Sequence, residues 1–392
     1  MKKFVIAGSG RQGIAVAYDL LRNTNHEVTI VDISQNSIKD ALEKLSKISD
    51  VKNLKSKVID ISNSTQMHQI LIDKDVLISA VPYEFNLELT KIAIQSQTSM
   101  VDLGGHTNIV RDQLSMSDKA KAVGISIVPD CGMGPGMNIT MAVLATEILD
   151  KTTEIYICDG GLPQVPNPPW NYSLFFNIEG LTNEYDEHAY FIRDGQINEV
   201  ECFTGIEDIN FKNIGNLEAA VTSGGLSTMP WTFKDKLRVL ENKTLRYPGH
   251  WEWMKAFRQL GLFSRKELVH KNQSIVPRDL YHQLLEKQLD HGRVEDVCLM
   301  RIKAVGKKNE KNIELTIDAE EYYDNKIDLT AMEKWTGWHI SIIAIEIANN
   351  RVAKGAVSVE NAITGHTFLK EANKRNYSIN IIEKELEWFL LN

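Results

Sequence analysis

Little in this sequence speaks for metal, membrane or nucleic acid. Cysteine is scarce: Cys131, Cys158, Cys202 and Cys298 lie far apart and form no Cys-x-x-Cys pair. Neither a zinc site nor a dithiol redox motif is expected, and the four thiols read as reduced, in a cytoplasmic protein. The histidines show no paired spacing with carboxylates, so no metal is expected. No apolar run approaches the length of a bilayer span. The Met-Lys-Lys start passes straight into Phe4-Val5-Ile6-Ala7, without a secretory leader. Positive charge is in deficit, with a net charge of −8. That argues against nucleic-acid and membrane-surface partners and leaves a small molecule as the expected one. Repeats and low-complexity segments are also missing.

What is present is ordinary globular composition, 43% hydrophobic and 24% charged over 392 residues. That length points to two domains. Strands are expected at 3–7, 27–31, 56–59, 75–81, 99–103 and 125–129. Helices are expected at 11–21, 35–47, 65–72, 86–97 and 117–123. The alternation predicts an α/β, Rossmann-type doubly wound parallel sheet. Continuously apolar strands such as Val76-Leu77-Ile78 suit a sheet covered on both faces. A helix over 139–149 follows the Gly134-Pro135-Gly136 turn.

Beyond about residue 150 the pattern changes. A strand at 153–158 leads to Asp159-Gly160-Gly161. Hairpins are expected over 189–203 and 296–323, the second turning at Gly306-Lys307-Lys308-Asn309. This predicts an inserted α+β domain with a mixed or antiparallel sheet. A long apolar helix over 331–350 and another from 379 onward close the chain. The resulting partition is 1–130 for dinucleotide binding, completed by helices in 331–392, and 131–330 for substrate binding and dimerisation.

Gly8-Ser9-Gly10-Arg11-Gln12-Gly13 matches G-x-G-x-x-G, with a strand before it, a helix after it and Asp32 ending the next strand. Gly8 permits the tight turn, Gly10 lets backbone approach a pyrophosphate, and Gly13 lets helix and strand close up. Free amides at the helix start bind phosphate. Asp32 is expected to accept bonds from the adenosine ribose and to repel a 2′-phosphate, which favours NAD. Arg11 either touches pyrophosphate or points to solvent. Ile33, Asp60 and Ile61, Ala80-Val81-Pro82, and Asp102 with Gly104 should wall the rest of the cofactor, because ligands sit at the carboxyl ends of such strands.

Later segments carry a more specific signal. Val101–His106, Pro129–Asn138, Gly160–Pro163, Ser173–Leu181, Thr222–Ser227 and Arg246–His250 together resemble the saccharopine dehydrogenase-like superfamily, and within it the lysine 6-dehydrogenases. The resemblance runs nearly end to end. It implies a Rossmann domain completed by C-terminal helices, plus an insert carrying substrate and dimer contacts. It also implies oxidation of the ε-carbon of L-lysine by NAD⁺, giving 2-aminoadipate 6-semialdehyde, which cyclises, with ammonia and NADH. In the family pattern Tyr172 and Glu179 flank a segment entering the pocket. The chain departs from the pattern in its Gly-Ser-Gly start and in the tryptophans Trp231, Trp251 and Trp253, which could reshape the pocket.

Amine oxidation needs a proton acceptor, an anchor for any carboxylate, and dry walls. Asp130 ends the sixth strand and either holds the ammonium, accepts its proton, or caps a helix. His106 suits proton transfer or a backbone bond in a loop. Arg246 is the first choice for the substrate carboxylate, since its fork grips two oxygens. Tyr247 and His250 are candidates for proton transfer or for holding water. Thr222 and Ser223 offer hydroxyls. Asp159 reads as a turn residue. Two other functions stay open: an NAD(P)H-dependent imine reductase of the saccharopine or carboxynorspermidine type, for which Arg193, Arg238 and Arg258 are recruits, and a non-catalytic NAD sensor.

Overall fold

A computed structural model describes residues 1–22, 25–186 and 188–387. The first half reads β1 (Lys2–Ala7), α1 (Arg11–Leu21), β2 (His26–Asp32), α2 (Gln35–Ile48), β3 (Leu54–Val58), α3 (Ser64–Leu71), β4 (Val76–Ser79), α4 (Asn86–Gln95), β5 (Ser99–Asp102), α5 (Thr107–Ser115), α6 (Ser117–Ala122), β6 (Ser126–Val128) and α7 (Met137–Ile148). Next come β7 (Lys151–Pro163), α8 (Ile178–Asp186), β8 (His188–Arg193), β9 (Gln196–Glu201), β10 (Glu207–Phe211), β11 (Gly215–Val221), α9 (Met229–Phe233), β12 (Val239–Arg246), α10 (His250–Gln259), β13 (Leu268–His270), β14 (Gln273–Ile275), α11 (Pro277–Leu289), β15 (Asp296–Lys308) and β16 (Lys311–Tyr322). The chain ends on α12 (Ala331–Ala348), β17 (Gly355–Ala356), α13 (Val359–Ala362), α14 (Gly365–Lys374) and β18 (Ser378–Glu385).

The first sheet has seven strands in the order β17-β6-β5-β4-β1-β2-β3, all parallel. The order reverses between β1 and β4, and ligands bind at such a switch point. Alternate residues face opposite sides, yet both sides are apolar. Phe4, Ile6, Val28 and Ile78 pack into one core, while Val5, Ala7, Val31 and Leu77 pack into another. That double cover is why the strands read as unbroken apolar runs.

The second sheet has nine strands, with the path β10-β11-β12-β7-β15-β16-β18; off it, β8 pairs with β12 and β9 with β8. It is mixed: β12 runs parallel to β7, and β15 antiparallel to it. Helix α12 is apolar all round because it is buried all round, packed on α1 and on β15. Thr330 and Glu333 close a capping box at its start, and Asp296 accepts from the Ala331 and Met332 amides.

Two sequence expectations are corrected. Residues after 378 form strand β18, paired antiparallel with β16, and not a helix. Ile379 and Ile381 pack on the core while Ser378 and Asn380 do not, a two-residue alternation. The part of the expected helix beyond residue 387 lies outside the described residues. The β15–β16 turn falls at Asn309-Glu310, both in the left-handed region, and Gly306 sits inside β15 where the register shifts against β7. A Cβ at Gly306 would lie 2.1 Å from the Lys151 carbonyl oxygen, so close strand approach explains that glycine. Helix α5 was not foreseen.

Candidate active site

The glycine loop is shaped as its motif requires. Gly8 has φ +103, and a Cβ there would lie 2.6 Å from the Ala80 carbonyl oxygen. A Cβ on Gly13 would lie 2.0 Å from the Gly8 carbonyl oxygen. A Cβ on Gly10 would meet nothing within 4 Å, so open space lies above the start of α1. The first-turn amides of that helix have no intrahelical acceptor, and they face the space a pyrophosphate needs. Asp32 is fastened in place: Oδ2 accepts from the Ser9 amide at 2.8 Å and the Ser9 hydroxyl at 2.9 Å, and Oδ1 accepts from the Ser34 amide at 2.9 Å. Ile33 beside it is 68% exposed, as an adenine-facing residue would be. Arg11 and Asp60 are exposed, Ile61 is half-buried, and Ala80, Val81 and Pro82 follow β4 across the crevice. Gln12 keeps its Oε1 buried without a partner. The crevice thus fits a dinucleotide.

Asp102 is withdrawn from the crevice, contrary to expectation. It is fully buried and accepts from the Gly104 amide at 2.8 Å, Gln113 Nε2 at 2.7 Å and the Asp130 amide at 3.3 Å. It therefore builds the loop that presents Asp130. Gly104, with φ +73, leaves the room that Asp130 Oδ1 occupies: a Cβ there would lie 1.8 Å from that oxygen. Asp130 itself has φ +60 and is buried. Its Oδ2 accepts from the Ser227 hydroxyl; Oδ1 is buried, and the Gly105 amide adds a weaker pull toward the carboxylate. Burial, working against that hydroxyl, lifts the Asp130 carboxyl to about 7. A carboxyl poised there exchanges protons near neutrality. His106 precedes α5, lies 5.6 Å from the Tyr83 ring and lines a cleft of about 390 Å³ with Arg111, Thr222 and Ser227.

Register brings a second set of charges together. Asn242, Thr244 and Arg246 alternate along β12, and Thr244 pairs with Asp159 on β7. Side chains two apart share a sheet face, so Arg246 and Asp159 do. Thr222 Oγ1 and Thr244 Oγ1 lie 2.6 Å apart, which ties the cleft wall to this face. Arg246 is 2% exposed: Nε donates to the Tyr185 hydroxyl at 3.0 Å and Nη1 to the Leu245 carbonyl at 2.9 Å. The Tyr172 ring lies 4.5 Å from its guanidinium. Asp159, buried and held by Asn242 Nδ2 at 2.8 Å, is raised to about 6 by burial, with Arg246 opposing. Glu184 on α8 lies 3.6 Å from Arg246 Nη2 and keeps 29% side-chain exposure. It sits recessed, and enclosure by protein lifts it to about 7 against the pull of Arg246.

Asp159 was read as a turn residue, and Glu184 was missed. The side chains of Tyr247 and His250 were misplaced. Tyr247 lies on the opposite sheet face from Arg246, in the core with Leu245, and donates to the Pro163 carbonyl at 2.9 Å. His250 is fully buried between the Tyr185 hydroxyl (3.0 Å) and the Trp170 carbonyl (3.1 Å). Burial, then the Arg246 charge, press it down to about 3, so it stays neutral and does not shuttle protons. Ser223 gives its hydroxyl to the Asn183 carbonyl at 2.8 Å, fastening α8. Glu179 pairs with Arg265 and, at 3.5 Å, with Arg278. Arg193, Arg238 and Arg258 are paired with Glu241, Glu154 and Glu201. Among the described residues no cluster of metal-ligating side chains occurs, and no helix is long and apolar enough to cross a membrane.

Crevice and cleft together define a two-domain protein with a nicotinamide-nucleotide-binding fold and a charged site facing it. Family comparison narrows the class. Residues 4–128 match the saccharopine dehydrogenase NADP binding domain, and residues 132–377 match the saccharopine dehydrogenase C-terminal domain. The chain belongs to the saccharopine dehydrogenase family.

It is 25% identical over 283 residues to the rat mitochondrial alpha-aminoadipic semialdehyde synthase, a match covering 68% of this chain and 29% of the relative. Against the Saccharomyces cerevisiae saccharopine dehydrogenase [NADP(+), L-glutamate-forming] it is 24% identical over 279 residues, covering 67% of this chain and 58% of the relative. The chain thus spans less than a third of the rat relative it matches. The solved apo structure of the yeast L-Glu-forming saccharopine dehydrogenase superposes with a TM-score of 0.78 at 17% identity, covering 98% of this chain and 100% of that one. That likeness gives the same fold, the parallel sheet plus the mixed one.

Proposed function

We propose that the protein oxidises the ε-amine of L-lysine with NAD⁺, releasing 2-aminoadipate 6-semialdehyde and ammonia. The observation that carries this reading is the balance of charge. One buried guanidinium, Arg246, stands against three recessed carboxyls, Asp130, Asp159 and Glu184. Lysine brings two ammoniums and one carboxylate, which complements that set. A substrate with several carboxylates would meet like charges.

NAD⁺, when bound, supplies the hydride acceptor. The protein supplies the rest. Asp130 takes a proton from the ε-ammonium, so that the free amine can lose hydride from its carbon. Water adds to the resulting iminium and gives its proton to solvent; Asp130 returns its own proton to the nitrogen, and ammonia leaves as the hydroxyl proton is lost and the aldehyde forms. Ser227 keeps the carboxylate aimed, and Asp102 fixes the loop beneath it. Gly104 keeps the approach clear.

NAD over NADP rests on Asp32. Its charge is pinned by Ser9 and Ser34 where a 2′-phosphate would sit. The matched family domain is described as NADP-binding, so the ratio of kcat/KM for the two cofactors is the direct check.

The second reading, reduction of an imine carrying more carboxylates, draws on Arg111. It lines the cleft and stacks 4.2 Å over Trp231, an additional cation at the mouth. Pure protein with NAD⁺ and L-lysine separates the two. NADH and ammonia in equal amounts support deamination. No turnover with lysine, but NADH oxidation with an aldehyde and an amino acid, supports the reductase.

A further inference from the structure

We propose that Arg246, Asp159 and Glu184 form a socket for the head group of an α-amino acid, with the carboxylate on Arg246 and the α-ammonium between the two acids. The proposal rests on the reading above, in which Asp130 serves the reacting amine at the other end of the substrate.

Unused valences carry it. Arg246 has hydrogen bonds from Nε and Nη1, but Nη2 has no acceptor within hydrogen-bond range among the described residues, its nearest acid being Glu184 at 3.6 Å. Asp159 Oδ1 accepts from Asn242, while Oδ2 has no donor among the described residues. Among the described residues neither Glu184 carboxylate oxygen accepts a hydrogen bond, its contact with Arg246 being 3.6 Å. Arg246 and Asp159 are buried, and a buried charge is costly unless something completes it; Glu184, 29% exposed, is only partly shielded. Each acid lies within electrostatic reach of Arg246, and Glu184 also feels Asp159. A zwitterionic head fills all three valences: its carboxylate takes the free Nη2 donors, and its ammonium takes the free acid oxygens.

Distance from the chemistry is set by the loop after Asp130. A Cβ on Gly134 would lie 2.3 Å from Asp159 Oδ2, so that acid touches the loop whose first residue is Asp130. Asn138 on α7 donates to the Gly225 carbonyl at 2.9 Å, closing the same wall. The socket and the reacting carboxyl therefore flank one short stretch of backbone. Asp159 and Glu184 are specificity residues in this scheme. Their raised carboxyls add a pH signature: ammonium binding should strengthen as pH rises through about 6 to 7, as they ionise.

The test is binding, not turnover. L-norleucine has the head group and chain of lysine but no ε-amine. Calorimetry of the full chain saturated with NAD⁺ should show L-norleucine binding, with hexanoate and pentylamine about ten- to a hundredfold weaker. Glu184→Gln and Asp159→Asn should each weaken L-norleucine by a similar factor at unchanged NAD⁺ affinity, which doubles as the check of folding. Glu184→Asp, which keeps charge but shortens reach, should fall between wild type and Glu184→Gln. Hexanoate binding as tightly as L-norleucine overturns the socket. So does unchanged norleucine affinity in both neutralised variants, or no norleucine binding at all. If norleucine binds as described but lysine is not oxidised, the socket stands and the deamination reading falls. If lysine is oxidised and the variants bind norleucine normally, the reverse holds.

Discussion

The crevice at β1 and β4 and the cleft behind Thr222 handle charge in opposite ways. The crevice is built from backbone: its work is done by missing side chains at Gly8, Gly10 and Gly13 and by amides at the start of α1. Its one fixed charge, Asp32, is half-exposed and held by neutral donors. The charged site behind the cleft wall is built from ionisable side chains, three acids and one arginine, drawn from the loop after β6 and from β7, α8 and β12. Backbone recognition tolerates any phosphate-bearing nucleotide, whereas enclosed charges select a substrate.

Changes on the two sides should therefore separate cleanly, and the largest effect should come from the reacting end. Asp130→Asn should lower kcat with lysine by about 10² to 10⁴-fold, the usual worth of a general base, and leave NAD⁺ affinity unchanged. Equal loss of NAD⁺ affinity would break the division between the two regions. Next is Arg246→Ala, which leaves two acids without their cation. It should destabilise the fold by about 3–5 kcal/mol and raise the lysine KM, both measurable by denaturant unfolding and steady-state kinetics. Gly13→Ala should do the converse, weakening NAD⁺ while sparing norleucine.

A subtler effect concerns pH. Asp130 is raised to about 7 in the fold, above its unfolded value near 4. Such a group binds its proton more tightly when folded. Its stabilising contribution is complete below about pH 4 and is lost as pH climbs through about 7. Melting temperature should fall over that range, and Asp130→Asn should flatten the fall. The rising limb of kcat/KM should track the same group. Ser227→Ala removes the bond that favours the carboxylate, so the limb should move to higher pH; a limb that stays put would detach Ser227 from Asp130. Smallest is Tyr247→Phe, which loses one bond to a backbone carbonyl. About 0.5–1.5 kcal/mol of stability should go, with kcat unchanged; a drop in kcat would return Tyr247 to the site.

The same division explains what could be read from sequence. Glycine spacing and a terminal acid are local signals, so the cradle was legible down to Asp32. Asp130 and Arg246 stood out by position at a strand end and by residue type. Glu184 did not, because nothing near it in sequence hints that α8 will lie over β12. Asp159 beside two glycines looked like a turn; only the β7–β12 register shows it sharing a face with Arg246. His250 looked reactive because its burial, and the arginine that suppresses its charge, depend on tertiary packing. For β18 the signal existed in Ile379-Asn380-Ile381, and the charged residues after it obscured the period.

Strand β18 has a consequence for how the protein comes into being. The chain leaves the first sheet after β6, builds most of the second, returns through α12 and β17 to finish the first, and only then adds β18 to β16. Neither sheet has all its strands until synthesis has entered the final tenth of the described chain. During synthesis the β16 edge, with Leu315 and Ile317, must wait uncovered, and such edges invite pairing with other chains. Long-range closure of this kind is slow. Assembly should behave as one late, cooperative event, and truncation ahead of residue 378 should yield aggregates in place of a separately folded nucleotide-binding half.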